Sequence, residues 1–432
     1  MLRAANLRAW TFVAFGLAVA VRWAVTLRYY RDLPLGLTDN FYYHEQANLI
    51  ADGEGFLNPF ALLVGERAQT AAHPPLYSIY LALWSLVGAD SALWHRLASG
   101  LVSAAAVIPV ALVADRLAGH RAAIAAGFGV ALYPPLWMND GLILSESLYA
   151  TLAALTIWQA HRVIDDPTRR RVFELTVILA AGALTRSESV LLFGVLLVPI
   201  VLRSKPVSLP DRFRLLTVAA AVAAVLLAPW VVRNLVTFDE PTFLAVGPGY
   251  VLELGNCDQT YSGPFLGYWS VGCDQSDWAD GDESAIGARK LEIARDYIAD
   301  HLGEQPKVVS ARVGRLFGLF RPFQTADFDV LFERRIDRHV RVGLWAHWAA
   351  SIVAVAGTAI LWHRRESVLP TLAMIGLAAW TAAVTLGITR YRVGADVAVI
   401  VLAAVAVGCL ADRLRPAPRS TGSTSGDRVP SP

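Results

Sequence analysis

Long apolar runs dominate the sequence and are separated by short polar segments. A helix needs about 20 mainly apolar residues to cross roughly 30 Å of bilayer hydrocarbon. Most of the runs approach or reach that length, so the pattern predicts an all-α polytopic membrane protein with about ten spanning helices, within a range of 9 to 11. The predicted spans are 9–28, 94–117, 121–138, 144–163, 173–186, 189–203, 215–233, 342–362, 367–388 and 393–412.

Basic residues fix the predicted orientation, because positive charge beside a membrane favours the cytoplasm. With ten spans, six basic clusters fall on one side and both termini are cytoplasmic. The clusters are Arg3 with Arg8, Arg116 to Arg121, Arg169 to Arg171, Arg203 to Arg214, His363 to Arg365, and Arg413 with Arg415. The opposite, outer face then carries two large polar segments, 29–93 and 234–341.

Two apolar segments do not fit the simple pattern. The run 73–88 is too short to span, and counting it would place every later basic cluster outside, so we interpret it as an interfacial or re-entrant helix. The polar sequence LTRSES interrupts the stretch 173–203, which we interpret as two short spans that meet near the outer surface.

These features divide the chain into four parts. Residues 1–233 form an N-terminal transmembrane module that contains the first outer loop, 29–93, and residues 234–341 form an extracytoplasmic loop domain with at most a small sheet. Residues 342–412 form the C-terminal transmembrane helices. Residues 413–432 are rich in Ser, Pro and Gly, which is typical of a disordered cytoplasmic tail.

Composition agrees with a membrane protein and excludes one class of partner. Hydrophobic residues make up 55% of the 432 residues and charged residues 17%, against about 25% charged in soluble domains. The net charge of +2 argues against nucleic acid. Arginine greatly outnumbers lysine, which favours a GC-rich bacterial genome and, with the spans, a multi-pass protein of the cell membrane.

The first outer loop carries the strongest candidate for acid–base chemistry. A short helix is predicted to begin at Thr38 or Asp39, with Tyr42, Tyr43 and His44 on it. Asp39 therefore lies at the membrane surface. Two interpretations remain open: Asp39 only caps this helix, or it is a general base held where a lipid-linked substrate arrives.

His73 opens the short helix that follows, in the sequence Ala72-His73-Pro74-Pro75. Prolines are tolerated in a first helical turn, because an N–H there has no partner in any case. His73 has no such structural explanation. At headgroup level it can donate to a phosphate, although a histidine at a helix entry is more often structural.

Charged side chains recur at the predicted outer ends of the spans, where they are expensive to place and mark functional sites by default. Snorkelling arginines are the alternative explanation. Arginine grips phosphate with two parallel hydrogen bonds, so the group suits a phosphate-containing lipid. Its members are Arg96, Asp140, Glu146, Arg186, Glu188, Arg233, Arg390, Tyr391 and Arg392.

The cysteines suggest a disulfide rather than a metal site. Cys257 and Cys273 share the second outer segment and pair if that side is oxidising. Two cysteines alone do not supply the usual four zinc ligands, and the sequence has no HExxH or EF-hand pattern. We therefore predict no metal site.

The order of these motifs resembles the GT-C glycosyltransferases, in particular glycosyltransferase family 39, the protein-mannosyltransferase-like and aminoarabinose-transferase-like group and its RgtA/B/C/D-like relatives. The resemblance covers nearly the whole chain to about residue 412. The matching pieces are Asp39 with Tyr42-Tyr43, His73-Pro74-Pro75-Leu76, Arg96-Leu97, LSESLY (144–149), LTRSE (184–188), PWVVRN (229–234), GN (255–256) and RYR (390–392).

The resemblance implies an inverting transfer of a hexose or pentose from a polyprenyl-phosphate donor to an acceptor hydroxyl on the outer face. Asp39 would be the general base, and Glu146 would orient the acceptor or the base. The donor phosphate would be held by His73, Arg96, Arg186 and Arg390 or Arg392, and the substrate lined by Tyr42, Tyr43, His44, Asp140, Arg233 and Tyr391. The acceptor would be a protein, lipid or cell-wall glycan, and no cofactor or metal is required.

Two other functions compete with this one. A transporter or flippase of a lipid-linked or anionic substrate would usually show repeat symmetry and charges near mid-membrane, whereas the sequence has no detectable repeat. An inactive assembly partner would use Asp39 only as a cap. Only a glycosyltransferase would transfer labelled sugar and lose this activity in Asp39→Asn, so a transfer assay separates the three functions.

Overall fold

The computed structural model describes residues 2–274 and 281–414, and this part of the chain is all helical. Its only extended pairing is an isolated antiparallel bridge between Leu57 and Gln69. The predicted all-α class is therefore confirmed. Within 413–432, the segment predicted as a disordered tail, residues 415–432 lie outside the described residues.

Twelve helices form the N-terminal part, and α1 continues into a π-helical turn at Thr26–Tyr30. They are α1 (Leu2–Val25), α2 (Asp39–Ala51), α3 (Pro59–Leu63), α4 (Leu76–Ser85), α5 (Ala92–Ala104), α6 (Val107–Ala118), α7 (His120–Leu132), α8 (Pro134–Trp137), α9 (Glu146–Asp165), α10 (Arg169–Ala183), α11 (Val198–Leu202) and α12 (Leu209–Thr237).

Among the described residues, five helices follow in the second outer segment and three in the C-terminal part. They are α13 (Gly247–Gly255), α14 (Asp258–Tyr261), α15 (Glu283–Asp300), α16 (Gln305–Leu316), α17 (Pro322–Leu331), α18 (Asp337–His363), α19 (Leu369–Val384) and α20 (Val393–Arg413). A 3₁₀ turn at Thr389–Arg392 leads directly into α20.

Five helical stretches of the described chain are long and apolar enough to cross a membrane, and all five match predicted spans. They are Leu7–Tyr30, Ala92–Ala118, Leu209–Thr237, Asp337–His363 and Thr389–Arg413. The other predicted spans coincide with helices that are shorter or more polar, so length and composition support five of the ten spans by themselves.

Two of the remaining spans are shorter than predicted, and the stretch 173–203 is divided into two helices as predicted. Proline and polar residues explain two of these three helix ends. The predicted span 121–138 ends as helix α7 at Leu132, because Pro134 has no N–H to continue the ladder. The stretch 173–203 breaks at residues 184–186, within LTRSES, as the sequence indicated. The predicted span 367–388 ends at Val384.

Helix α20 lies at the centre of the bundle and packs against α7, α9, α18 and α19. Its Ala- and Val-rich sequence is almost entirely buried, which small apolar side chains permit on all faces. Gly357 of α18 faces the backbone of Leu402, and a side chain there would collide with its carbonyl group. This close approach packs α18 tightly against α20.

The elements that carry the candidate residues meet at one end of the bundle. Helices α2 and α4 pack together there. The Leu76 amide donates to the Leu184 carbonyl at 2.9 Å, which joins the start of α4 to the break after α10. The Val246 amide donates to the Ala71 carbonyl at 2.9 Å and ties the second outer segment to the first. As predicted, α4 is a separate helix, and its 10 residues are too few to span.

Candidate functional site

Asp39 is joined to two predicted partners from distant parts of the chain. Arg390 Nη1 donates to Asp39 Oδ2 at 2.6 Å, and His73 Nε2 lies 3.5 Å from Asp39 Oδ1. The N-cap of α2 is Thr38, so Asp39 is the first helical residue and its carboxylate points to Arg390. The capping interpretation of Asp39 is therefore wrong.

Asp39 remains accessible although it is strongly paired. Its side chain and that of His73 are each 29% exposed, whereas that of Arg390 is 18% exposed. Burial by itself raises the pKa of Asp39, but the charge of Arg390 and the hydrogen bond from His73 outweigh it and lower the pKa well below its usual range. Asp39 is thus an ionised carboxylate at neutral pH with one open side.

His73 is held between two buried tyrosines of α2. Its ring centroid lies 4.9 Å from that of Tyr42 and 4.9 Å from that of Tyr43. Both tyrosines are only 3% exposed. Packing against these two aromatic rings therefore orients His73 toward Asp39.

A second chain of charges lies behind Asp39. Glu146, the first residue of α9, accepts a hydrogen bond from Arg186 Nη1 at 2.7 Å and lies 3.9 Å from Arg390 Nε. Arg186 Nε donates to Glu188 at 2.7 Å, and its guanidinium lies 4.9 Å from the ring centroid of Tyr391. Glu146, Arg186 and Tyr391 thus join the same cluster as Asp39.

Glu333 completes the surroundings of Arg390 and was missed by the sequence analysis. It follows α17 and places Oε2 3.7 Å from Arg390 Nη1. Burial raises its pKa, and the charge of Arg390 acts in the opposite direction. No local pattern distinguishes this residue in the sequence, where it precedes Arg334 and Arg335 near the end of the second outer segment.

Glu283 brings the second outer segment to the same region. It is the first residue of α15, and both of its carboxylate oxygens are buried. Burial raises its pKa to about 7, although Thr70 and the charge of His73 act in the opposite direction. No sequence pattern singles out this glutamate either.

Carboxylates outnumber guanidinium groups in the assembled cluster. Two arginines face four carboxylates, so the arginines are neutralised before any ligand arrives. Arg390 Nε is nevertheless a buried donor without a hydrogen-bond partner among the described residues, which is costly and rare in proteins. The cluster members are Asp39, His73, Glu146, Arg186, Glu188, Glu333, Arg390 and Tyr391.

Arg96 is structural rather than a phosphate contact. Its guanidinium is buried and donates to the backbone carbonyls of Tyr30, Arg31 and Leu33. These carbonyls lie at the end of the helical segment that continues α1, where the last carbonyl groups of a helix need partners from elsewhere, and the Tyr30 carbonyl also accepts from the Leu33 amide. The predicted contact of Arg96 with the donor phosphate therefore needs correction.

Arg233 was predicted to line the substrate, but it fastens the first outer loop. It donates to the Thr70 carbonyl at 2.9 Å and to Gln69 Oε1 at 2.6 Å. Its guanidinium also lies against the rings of Phe56 and Trp230. Both of its Nη atoms donate to the protein itself, so the structure gives Arg233 a structural role in place of the predicted one.

Two further predicted lining residues are buried in the bundle. His44 Nδ1 is 3.0 Å from His95 Nδ1, and both residues are buried. Asp140 Oδ2 lies 3.0 Å from Arg22 Nε, and Asp140 Oδ1 accepts from Ser147 at 2.7 Å. Both residues hold helices together and do not line a substrate site.

Arg392 points away from Arg390 although only one residue separates them. Its Nε donates to Asp396 at 3.0 Å, one turn later in the same helical segment, and its Nη1 donates to the Leu316 carbonyl at 2.7 Å. His347 and Tyr133 also contact Asp396. Arg390 and Arg392 were both predicted to hold the donor phosphate, but only Arg390 faces Asp39.

Cys257 and Cys273 are joined by a disulfide, with their Cα atoms 5.5 Å apart. Among the described residues, no three His, Cys, Asp or Glu side chains are grouped so that they could hold a metal ion.

Comparison with protein families gives a partial sequence match. Residues 72–232 match the model of the family described as dolichyl-phosphate-mannose-protein mannosyltransferase. The matched part contains His73, Glu146 and Arg186, whereas Asp39 and Arg390 lie outside it. No functionally curated protein matches the chain.

Comparison with solved structures gives matches over nearly the whole chain. The oligosaccharyltransferase of Archaeoglobus fulgidus in complex with zinc and sulfate covers 94% of this chain, at 15% identity and a TM-score of 0.53. The same organism's oligosaccharyltransferase AglB, with an inhibitory peptide and a dolichol-phosphate, covers 94% at 14% identity and a TM-score of 0.54.

This chain spans 49% and 51%, respectively, of those two chains, about half their length. ArnT of Cupriavidus metallidurans bound to undecaprenyl phosphate is also similar, at 18% identity and a TM-score of 0.46, covering 93% of this chain and 78% of ArnT. The likeness to the two oligosaccharyltransferase structures concerns the fold.

Proposed function

We propose that this chain, a multi-pass membrane protein with the fold of the GT-C glycosyltransferases, transfers a sugar from a polyprenyl-phosphate donor to an acceptor hydroxyl. The observation that carries the proposal is the contact of Asp39 with Arg390 at 2.6 Å, beside His73. It brings a partly exposed carboxylate together with two side chains that can donate hydrogen bonds to a phosphate, and one of them, His73, lies in the part of the chain that matches the family model.

The reaction needs a base on one side of the anomeric carbon and anion stabilisation on the other. Asp39 takes the proton of the acceptor hydroxyl while the acceptor oxygen forms a bond to the anomeric carbon. The bond from that carbon to the phosphate oxygen breaks, and its electron pair leaves with the polyprenyl phosphate. Attack opposite the leaving group inverts the configuration.

Arg390 couples donor binding to the basicity of Asp39. A donor phosphate competes with the carboxylates for the Arg390 guanidinium, whose Nε is free of hydrogen-bond partners among the described residues. As Arg390 turns to the phosphate, Asp39 loses the charge that lowers its pKa, and burial then raises it. Asp39 becomes a stronger base only when the donor is present.

The remaining cluster residues support this exchange. Glu146 keeps Arg186 and Arg390 close together, at 2.7 and 3.9 Å, and so positions both arginines near the leaving group. Preorganised charges of this kind usually contribute more to catalysis than any other single effect. His73 contributes a second donor to the phosphate or to Asp39, and the scheme uses no metal or cofactor.

The site belongs to the face opposite the basic clusters, which the positive-inside rule places outside the cell. We therefore propose an extracytoplasmic site in the plasma membrane. The acceptor is a hydroxyl group of a protein, a lipid or a cell-wall glycan.

Transfer by the purified protein tests the proposal directly. Polyprenyl phosphates carrying radiolabelled mannose, arabinose, galactose or glucose are incubated with the protein and an envelope extract as acceptor. We expect transfer with at least one donor, and a loss of about 10²- to 10⁴-fold in Asp39→Asn. Asp32→Asn is the matched control, because Asp32 is 94% exposed in the same loop.

Two outcomes would contradict the proposal. Normal transfer by Asp39→Asn would remove Asp39 as the base. Movement of the labelled lipid across sealed vesicles without transfer to any acceptor would favour a transporter or flippase.

A further inference from the structure

A long open cavity lies between the last three helices of the bundle, away from the Asp39 cluster. Its volume is about 710 Å³. Helices α18 and α19 each pack against α20, which forms the floor of the groove between them. The apolar part of its lining includes Ala354, Ala359, Leu372, Ile375, Val399 and Leu402.

The groove runs along a large part of a membrane-spanning helix. His347 and His363 lie at its two ends on α18, and a rise of 1.5 Å per residue places them about 24 Å apart. One leaflet contributes roughly 15 Å of hydrocarbon. The groove is thus long enough for the full length of a lipid chain.

At the His347 end of the groove, the polar side chains already have hydrogen-bond partners within the protein. His347 Nδ1 lies 3.2 Å from Asp396 Oδ1 and 3.1 Å from the Tyr133 hydroxyl. These groups are buried and bonded to one another, so this end does not call for a charged ligand. The end of a hydrocarbon chain fits here better than a headgroup.

The other end is basic and exposed. His363 lines the groove, and Arg364 and Arg365 follow it directly. None of these three takes part in an ion pair among the described residues, whereas Arg116 pairs with Asp165 and Glu366. Free guanidinium groups beside an apolar channel complement an anionic headgroup attached to hydrocarbon.

This basic end lies on the membrane face opposite the Asp39 cluster. Helix α18 begins at Asp337, four residues after Glu333 of the cluster, and crosses to His363. A lipid whose phosphate lies at Arg364 therefore comes from the other leaflet than a donor whose phosphate lies at Arg390. The positive-inside rule assigns that leaflet to the cytoplasm, where anionic phospholipids attract basic side chains beside the membrane.

We propose that the groove between α18, α19 and α20 binds one anionic diacyl phospholipid of the cytoplasmic leaflet. Its phosphate contacts Arg364 and Arg365, and one acyl chain lies along α18 toward His347. Because it binds the folded bundle, the lipid stabilises the packing of α18 and α19 on α20. This site is separate from the proposed transfer site and does not depend on it.

Lipid binding to the full-length protein in detergent tests this. Phosphatidylglycerol is titrated against the melting temperature and by native mass spectrometry, with phosphatidylcholine as the neutral comparison. We expect saturable binding of one phosphatidylglycerol with a rise in melting temperature, and little effect of phosphatidylcholine.

Two matched pairs of variants locate the site. Each juxtamembrane arginine contributes about fivefold in affinity, so Arg364→Gln with Arg365→Gln weakens binding on the order of 25-fold. Arg203→Gln with Lys205→Gln removes the same charge elsewhere on that face and leaves binding unchanged. Ala359→Phe fills the groove and abolishes binding, whereas Ala224→Phe on the exposed side of α12 does not.

Three results would overturn the proposal. Equal binding of both phospholipids, with no effect of the arginine variants, would remove the headgroup site. Unchanged binding in Ala359→Phe would remove the groove. Displacement of phosphatidylglycerol by a polyprenyl phosphate would assign the groove to the chain of a different lipid.

Discussion

Asp39 and Arg390 are 351 positions apart in the sequence, yet the guanidinium donates to the carboxylate at 2.6 Å. Asp39 begins the first helix of the outer loop, and Arg390 lies in the turn that precedes the last helix. The contact therefore joins the two ends of the fold. It forms only when the start of α2 and the turn before α20 lie side by side, so its loss would report a displacement of either element.

The two arginines of the RYR sequence should behave differently when each is replaced by lysine. Arg390→Lys keeps the charge but loses the planar fork, so we expect roughly 10²-fold slower transfer with little change in melting temperature. Arg392→Lys disturbs the buried pair with Asp396 and the bond to Leu316. It should lower the melting temperature and leave transfer per folded molecule nearly unchanged. Transfer kinetics and thermal unfolding of both variants check this, and the reverse pattern would contradict the assignment.

The pH dependence of transfer should reveal the lowered pKa of Asp39. The base is the ionised form, so activity is present above its pKa and is lost as the pH falls through it. Because Arg390 and His73 lower that pKa, the acid limb of kcat/KM assigned to Asp39 lies below the usual aspartate value of about 3.9.

Arg390→Gln provides the comparison for that profile. It removes the charge that lowers the pKa of Asp39, while the burial that raises this pKa remains. The acid limb of the residual activity should therefore move to higher pH. Arg67→Gln is a control with the same chemical change, because Arg67 pairs with Glu54 in the first outer loop. An acid limb at the same pH in wild type and Arg390→Gln would show that another group controls it.

The sequence predicted Asp39, His73, Glu146, Arg186 and Arg390, and the structure brings these residues together. Glu146, Arg186 and Arg390 could be found because charges at the outer ends of apolar helices are costly and therefore conspicuous, whereas Asp39 and His73 stood out at the starts of two short helices in the first outer loop. The same criterion also selected residues with internal partners. Asp140 illustrates why, since its partner Arg22 lies on another span and no sequence pattern links the two.

Arg392 could have been recognised as structural. Asp396 follows it by four residues, the spacing that places two side chains together on one helix face. Glu333 and Glu283 could not have been found in this way, because their roles depend on how the second outer segment folds back on the first. The helix breaks show the same contrast: Pro134 explains the end of α7, whereas nothing comparable explains the end of α19 at Val384.

The disulfide should hold the second outer segment together. Cys257 and Cys273 are 16 residues apart, and closing a loop of this length stabilises a fold by about 3 kcal/mol in the chain-entropy model. Cys257→Ser with Cys273→Ser should therefore lower the free energy of unfolding by about that amount. Denaturant unfolding measures it, with Val271→Ser as the control, because Val271 is exposed and lies within the closed loop. A stability equal to that of the wild type would show that the bond adds nothing.

Glu283 should make stability depend on pH near neutrality. Its pKa is about 7 in the folded protein and about 4.3 in an unfolded chain. Between these values the folded state binds more protons than the unfolded state, so stability falls as the pH rises from about 4.3 to 7 and is constant above. The total loss is roughly 4 kcal/mol.

Glu283→Gln removes this titration, because glutamine keeps the size and polarity of the side chain without its charge. The variant should match the wild type near pH 4 and exceed it in stability at pH 8, as measured by thermal unfolding at both values. Glu292→Gln is the matched control, since Glu292 lies on the exposed side of the same helix. If Glu283→Gln and the wild type differed equally at both pH values, the carboxyl group would already be ionised near pH 4, and the difference would come from packing rather than from the burial of a charge.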